Sequence, residues 1–375
     1  MCKSLTILVV EDDENVTNSY QRKVQGHNFD PDKEFEFQID IVSNKNHALE
    51  KLSHNDYDGA IIDLDLTGNG GNDTSGIEVI KNIQENSRFP IFIISGTTHN
   101  LDDDRRIQND FYKVVSRDED FDFIKEFSKI HSTGIVELLK RKGKIENYIN
   151  EIFWKHLSGS MKPWIEDYET SNDKKQKSLL RYFIFHLQEY LDIDDQEGCF
   201  NDYYPSEYYI SKPIKKKIFT GDIFIDNKNE KFVVITPACD FSNGKADKIE
   251  CLKITESQEI ENCFSLENMS KKQQNKVKNY LLNKIPRYHF LPNLYSDGEE
   301  YKLGILDFQD KHSFVYIELD KHCSENVFKR IATISQPFLK SLIERHASYI
   351  CRQGAPNLSL PHLEKEFIKT NSNNK

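Results

Sequence analysis

Short apolar runs and polar breaks alternate through the first third of the chain. Leu5–Val10, Phe35–Val42, Asp58–Ile62, Pro90–Ile94 and Phe111–Val115 have strand length and are rich in Ile, Val and Phe. Between them, Asn15–Gln25, Lys45–Leu52 and Gly76–Gln84 carry apolar residues at helical spacing, as with Ile77, Ile80 and Ile83. A short polar helix is expected after Ile94, and an amphipathic helix over Phe121–Ile130. Buried strands that alternate with helices predict the α/β class: a doubly wound, five-stranded parallel sheet covered on both faces.

The rhythm changes near residue 131. Gly134–Leu191 reads as helical, with Ile145, Ile149, Ile152 and Phe153 on one face and Leu180, Phe183, Ile184 and Leu187 on another. The polar stretch Thr170–Lys177 is expected to join two of these helices. From Ile218 the pattern is mostly strand: Asp222–Ile225, Phe232–Thr236, Ile249–Ile254, Leu303–Phe308 and Ser313–Leu319, interrupted by a helix over Lys271–Leu282. A closing helix is expected from Ser324 to Arg352. These shifts predict an α/β domain over 1–131, a helical connector over 132–200, an α+β, β-rich domain over 201–358 and a polar tail over 359–375, frayed from Lys365.

Charge and cysteine usage narrow the setting. The net charge is -11, so a globally basic nucleic-acid binder is not expected. The seven cysteines are odd in number and lack CxxC spacing, which argues against a disulfide framework or zinc ribbon. No run approaches membrane-span length, and the first strand leaves no room for a signal peptide, so a cytoplasmic protein is expected.

Three of the predicted strands end in polar groups. Ile7-Leu8-Val9-Val10 runs into Glu11-Asp12-Asp13, Gly59-Ala60-Ile61-Ile62 into Asp63, and Ile91-Phe92-Ile93-Ile94 into Ser95. A parallel sheet brings such groups to its carboxyl edge, where open α/β sheets place their chemistry. Acidic residues also end strands as plain turn residues, but that does not account for three such runs. Facing carboxylates suit Mg²⁺, a hard ion that prefers oxygen. Asp63 is the candidate nucleophile toward phosphorus. Glu11, Asp12, Asp63 and the backbone carbonyl of Asp65 are the candidate ligands. Ser95 would supply a hydroxyl, and Lys113 or Arg117 a cation, for phosphoryl oxygens.

This constellation resembles the receiver domain of two-component response regulators, over residues 5–130. The resemblance rests on Val9-Val10-Glu11-Asp12-Asp13, Ile61-Ile62-Asp63, Ile94-Ser95-Gly96 and a cation late in the fifth strand. It implies a flavodoxin-like fold and Mg²⁺-dependent transfer of a phosphoryl group to Asp63 from a histidine kinase or phosphotransfer protein. Three departures stand out. The loop from Gly68 to Asp73 is Gly-rich and lacks the family's proline. The family's spacing after Ser95 falls on Arg117, whereas Lys113 has the usual chemistry. The slot of the family's switch aromatic holds Val114, with Tyr112 nearby. A rival resemblance lies in Asp63-Leu64-Asp65-Leu66-Thr67, which looks like the DxDxT motif of haloacid-dehalogenase-type phosphatases, with Asp65 as acid and base. Motif order argues against it, because Glu11-Asp12-Asp13 comes first.

The later sequence yields no DNA-binding helix pair and no phosphate loop. It faintly resembles the C-terminal regions of uncharacterised bacterial proteins with atypical receivers, some in anti-phage loci. An output domain binding a partner protein, a switched enzyme and a phosphate-sink role all stay open. Cys239, with His289, reads either as a thiolate or metal site or as a buried cysteine at a strand end. His289 reads as a core or interface histidine, and Asp240 as the cap of the turn toward Asn243-Gly244. The basic run Lys212–Lys217 beside Tyr203-Tyr204 and Tyr208-Tyr209 reads as a solvated linker before a nucleic-acid contact. The helical segment reads equally as packing or as a homodimer element.

Overall fold

In the computed structural model the chain forms two compact units, Met1–Asn201 and Asp202–Lys375. The structure describes residues 2–66, 75–98, 101, 108–192, 202–256, 270–296, 298–325, 327–352, 354 and 356–372.

The first unit contains β1 (Lys3–Val10), β2 (Phe35–Val42), β3 (Gly59–Ile62), β4 (Ile91–Ser95) and β5 (Tyr112–Ser116). All pairs are parallel, in the order β2-β1-β3-β4-β5. This is the doubly wound, flavodoxin-like order, whose switch point lies between β1 and β3. Alternate β1 residues enter opposite layers. Leu5, Ile7 and Val9 pack with α1 (Glu14–Asn28) and a helix over Phe123–Ser132, through Tyr20, Val24, Phe123 and Phe127. Leu8 and Val10 pack with helices over Lys45–His54 and Ser75–Asn86, through Ala48, Leu52, Val79 and Ile83. Each such buried side chain contributes roughly 1.5–3 kcal/mol. Gly59 lets the outer helix approach, since a Cβ there would stand 2.4 Å from the Phe127 ring. The short polar helix expected after β4 falls largely outside the described residues.

The helical segment starts against the amino edge of this sheet. Val136 is buried with the Leu5 layer. Lys3 pairs with Glu137 at 2.8 Å, and Lys140 with Asp58 at 3.5 Å. A π-helical turn covers Ile152–Leu157 and a long helix covers Asn172–Asp192. That helix takes in most of Thr170–Lys177, expected as a joint. Its lysines and glutamine are good helix formers, so polarity there marks an exposed face and not a break.

The second unit is an antiparallel, β-rich α+β domain. Its seven-stranded sheet runs β10-β13-β9-β8-β7-β14-β6. The strands are β6 (Tyr209–Ser211), β7 (Asp222–Ile225), β8 (Lys231–Val234), β9 (Lys248–Thr255), β10 (Tyr288–Leu291), β13 (Gly304–Val315) and β14 (Lys329–Ile334). A separate hairpin joins β11 (Leu294–Ser296) and β12 (Glu299–Tyr301).

Three expectations are corrected here. Leu303–Phe308 and Ser313–Leu319 are not two strands: β13 is one strand with an irregularity between Leu306 and Lys311, and Tyr316–Ser324 is helical. The closing helix does not begin at Ser324. Residues 329–334 form β14, which lies between β7 and β6, and the helix starts at Gln336, with Pro337 in its first turn. Proline is pre-shaped for that first turn, where its missing N–H costs nothing. The expected polar tail contains a helix over Leu360–Ser372, where Leu360, Leu363 and Phe367 recur at helical spacing.

Candidate functional site

The C-terminal ends of β1, β3 and β4 set Glu11, Asp63 and Ser95 at one sheet edge. Glu11 N–H donates to Val42 O at 3.0 Å, and Asp63 N–H to Val10 O at 2.9 Å, so both residues continue the ladder. Glu11, Asp63 and Ser95 are buried, with exposures of 2%, 5% and 0%. Asp12 is exposed, and carboxylate oxygens of Glu11, Asp12 and Asp63 lie within 4.8 Å of one another.

Arg117 lies just past β5. Its Nη2 donates to Glu11 Oε2 at 2.7 Å and to Asp63 Oδ2 at 2.9 Å. Its backbone N–H donates to Ser95 O at 3.2 Å, which fixes the start of the side chain at the same edge. Lys113 stands four residues upstream, about 13 Å along a strand, and its amine pairs with Glu126. Of the two candidate cations, Arg117 is the one the fold brings to Asp63.

Burial and charge act together on the carboxylates. Burial, and next the Asp63 carboxylate, push Glu11 up to about 7. Asp63 is also raised, mainly by burial, against the opposing pull of the Ser95 hydroxyl, Arg117 and the Leu64 and Asp65 backbone N–H groups. Leu64 N–H reaches Asp63 Oδ1 at 2.8 Å. Two buried carboxylates therefore share one guanidinium, with the Asp12 carboxylate beside them. This clustered set of hard oxygen donors fits Mg²⁺.

Gly76 holds the site's floor. A Cβ there would lie 2.3 Å from Asp63 O and 2.8 Å from Leu64 Cα, so only glycine lets the following helix sit this close. Sequence reasoning missed Gly76. It also missed Thr97, whose hydroxyl lies 3.1 Å from Ser95 Oγ and whose N–H donates to it at 3.2 Å. The available signal was a second hydroxyl two residues after Ser95. Tyr20, buried on α1, feels the charges of Glu11, Arg117 and Asp63; burial is the main cause of its raised pKa. The Gly-rich loop and Thr67 of the DxDxT reading lie outside the described residues. In the switch-aromatic slot, Val114 packs against the Leu8 layer, and Tyr112 is buried in that layer.

The other candidates are not brought together. Cys239 is exposed on a short helix, Ala238–Ser242, which corrects its reading as a buried strand-end cysteine; the chain turns helical after Pro237 instead of continuing inward. His289 is buried in β10, and its Nε2 lies 2.6 Å from the Tyr208 hydroxyl. The turn after the short helix closes through backbone bonds, Gly244 N–H to Phe241 O and Lys245 N–H to Asp240 O, with Gly244 at φ +65°. The basic run is tied to the sheet: Arg330 donates to the carbonyls of Lys215 and Lys216, and Lys215 Nζ lies 3.6 Å from the centroid of the Phe219 ring.

No family model and no curated protein matches the chain. Solved structures similar to it include a response regulator receiver domain (CheY-like) from Methylobacillus flagellatus, at 20% identity over 36% of this chain and 98% of that one, TM-score 0.26. Response regulator TrrA from Thermotoga maritima, in complex with Mg²⁺ and BeF, matches at 25% identity over 34% and 97%, TM-score 0.26. A response regulator receiver protein from Burkholderia phymatum matches at 18% identity over 35% and 94%, TM-score 0.23. No helix among the described residues is long and apolar enough to cross a membrane.

Proposed function

We propose that the first unit is a response-regulator-type phosphoacceptor that takes a phosphoryl group on Asp63. The observation that carries this reading is the meeting of Asp63, Glu11, Asp12, Ser95 and Arg117 at the switch point of a doubly wound sheet. In the proposed transfer, an Asp63 carboxylate oxygen forms a bond to phosphorus while the bond from phosphorus to a kinase imidazole nitrogen breaks. The leaving imidazole keeps the electron pair and takes a proton from water. Arg117 and the Ser95 hydroxyl would hold phosphoryl oxygens, and the Leu64 N–H holds one Asp63 oxygen in place. Glu11, Asp12, Asp63 and the Asp65 carbonyl would hold Mg²⁺, which when bound neutralises charge on the phosphoryl oxygens. The second unit would act as the output or partner-binding element, with a histidine kinase or phosphotransfer protein upstream.

The test is incubation with acetyl phosphate and Mg²⁺, read by intact mass. The expected result is one phosphoryl group on the wild type and none on Asp63→Asn. No gain, or a gain that survives Asp63→Asn, overturns the reading. The DxDxT alternative predicts instead a phosphatase turnover lost in Asp65→Asn. A phosphate-sink role would show as competition for phosphoryl groups with a second regulator of the same kinase.

A further inference from the structure

We propose that the loop over 211–218 in the second unit is a contact site for the anionic surface of a lipid bilayer. Lys212, Lys215, Lys216 and Lys217 are all exposed there, and residues 211–218 contain no acid. Ile214, in the middle of the lysines, is 84% exposed. A lone exposed isoleucine is ordinary in a pliant loop, but this loop is held in one shape from inside. Arg330, 12% exposed, donates from Nη1 to Lys216 O and from Nη2 to Lys215 O, both at 3.0 Å. Ile218 N–H donates to Asp320 Oδ1 at 3.0 Å. Lys212 stands at φ +58°, a left-handed conformation that side chains disfavour. Asp320 lies on the helix over Tyr316–Ser324, one turn after Ile317, which is 78% exposed. The braced loop and the helix that holds it each present an isoleucine to solvent.

The side chains select a lipid surface over nucleic acid. All four exposed cations are lysines, whose ammonium groups stay among headgroups while an aliphatic neighbour enters the acyl boundary. Stacking on bases needs an open aromatic face. Phe219, the aromatic that follows the loop, has the Lys215 ammonium 3.6 Å from its ring centroid and the Phe241 ring centroid at 5.2 Å. Against the four lysines stand Glu318 and Asp320 on the neighbouring helix, so the local charge is positive, while the whole chain carries -11. Such a surface is drawn to anionic lipid at short range against a repulsion from the rest of the chain, which gives weak, salt-sensitive and oriented binding. The inference stands apart from the reading of Asp63.

Co-sedimentation of the full chain with vesicles tests it. The expected result is binding to phosphatidylcholine vesicles that contain phosphatidylserine at about 0.1 M salt, loss of that binding at about 0.5 M salt, and none to phosphatidylcholine alone. Each lysine near the surface contributes about fivefold, so Lys216→Ala combined with Lys217→Ala should weaken binding at least about tenfold. Ile214→Ser should weaken it at least about threefold and leave the salt dependence unchanged. Circular dichroism checks that both variants fold. Ile214→Trp protein should show a blue shift in emission on the phosphatidylserine vesicles beyond that of the wild type. No binding to these vesicles, binding indifferent to both variants, or tighter lysine-dependent binding to a single-stranded oligonucleotide would overturn the proposal.

Discussion

Asp63 and Asp222 are both buried aspartates paired with an arginine, yet they belong to opposite kinds of site. Asp222 is fully buried and closed off. Arg330 Nη2 lies 2.9 Å away, the Thr333 hydroxyl donates at 2.5 Å and Phe219 N–H at 2.8 Å. Arg330 is itself only 12% exposed, and its Nη1 and Nη2 also donate to the carbonyls of Lys216 and Lys215. Asp63 shares its arginine with Glu11 and has Asp12 beside it, and Arg117 is one-third exposed. One charge is matched inside an antiparallel sheet. The other belongs to an excess of negative charge at the open edge of a parallel sheet. The pairing of residue types is shared; the surplus acid and the opening to solvent make one of them a candidate site.

The largest expected effect separates the two aspartates by stability. Asp222→Ala should cost about 3–5 kcal/mol, because it strands a buried guanidinium. Asp63→Asn should stay within about 1 kcal/mol of wild type, since it relieves repulsion on Glu11. Urea unfolding of both variants decides this, and equal losses would erase the contrast.

Next comes acidity, where the two units should respond with opposite sign. Glu11 is raised to about 7 in the folded state, from an ordinary value near 4.5. Its contribution is fully present below 4.5 and is lost as pH rises through 7. His289 is lowered to about 3, mainly by burial and then by Arg345, from near 6.5. Its contribution is present above 6.5 and is lost as pH falls toward 3. Between pH 4.5 and 6.5 each group contributes a slope of about 1.4 kcal/mol per pH unit. Hydrogen exchange in EDTA, corrected for intrinsic rates, should show the first unit gaining protection and the second losing it on acidification. His289→Gln should flatten the second slope.

Glycine contacts give a smaller contrast. Gly76→Ala should cost about 1–3 kcal/mol by pushing on the Asp63–Leu64 backbone, and should slow acetyl phosphate labelling more than the stability loss explains. Gly244→Ala meets no atom within 4 Å and strains only its positive φ, for about 1 kcal/mol and no change in labelling.

The smallest effect on stability is at Lys113, one of the two candidate cations. Lys113→Ala removes a partly exposed pair with Glu126, so a loss under about 1 kcal/mol and unchanged labelling are expected. Arg117→Ala should lower labelling at least about tenfold. The reverse ranking would return the role to Lys113.

The parallel unit was readable because its strands are short, buried on both faces and bounded by helices. Each expected strand lies within two residues of the observed one. Locally, Ile61-Ile62-Asp63 already shows a strand and the polar group that ends it. The antiparallel unit was harder, since β14 has six residues whose partners, β7 and β6, lie about a hundred residues upstream. The sequence pattern runs Lys329–Ile334 into a neighbouring helix, although Ser335 and Pro337 mark where that helix begins.

By itself the sequence determined the five strands and the acidic and hydroxyl groups at their ends, because hydrophobic period and strand length are local properties of the chain. Only the tertiary structure decided that Arg117, and not Lys113, meets Asp63. It alone showed that Gly76 leaves room for a helix against the site, and that Cys239 faces solvent while His289 is buried. These depend on side-chain reach and close approach between segments distant in sequence, which no local pattern encodes.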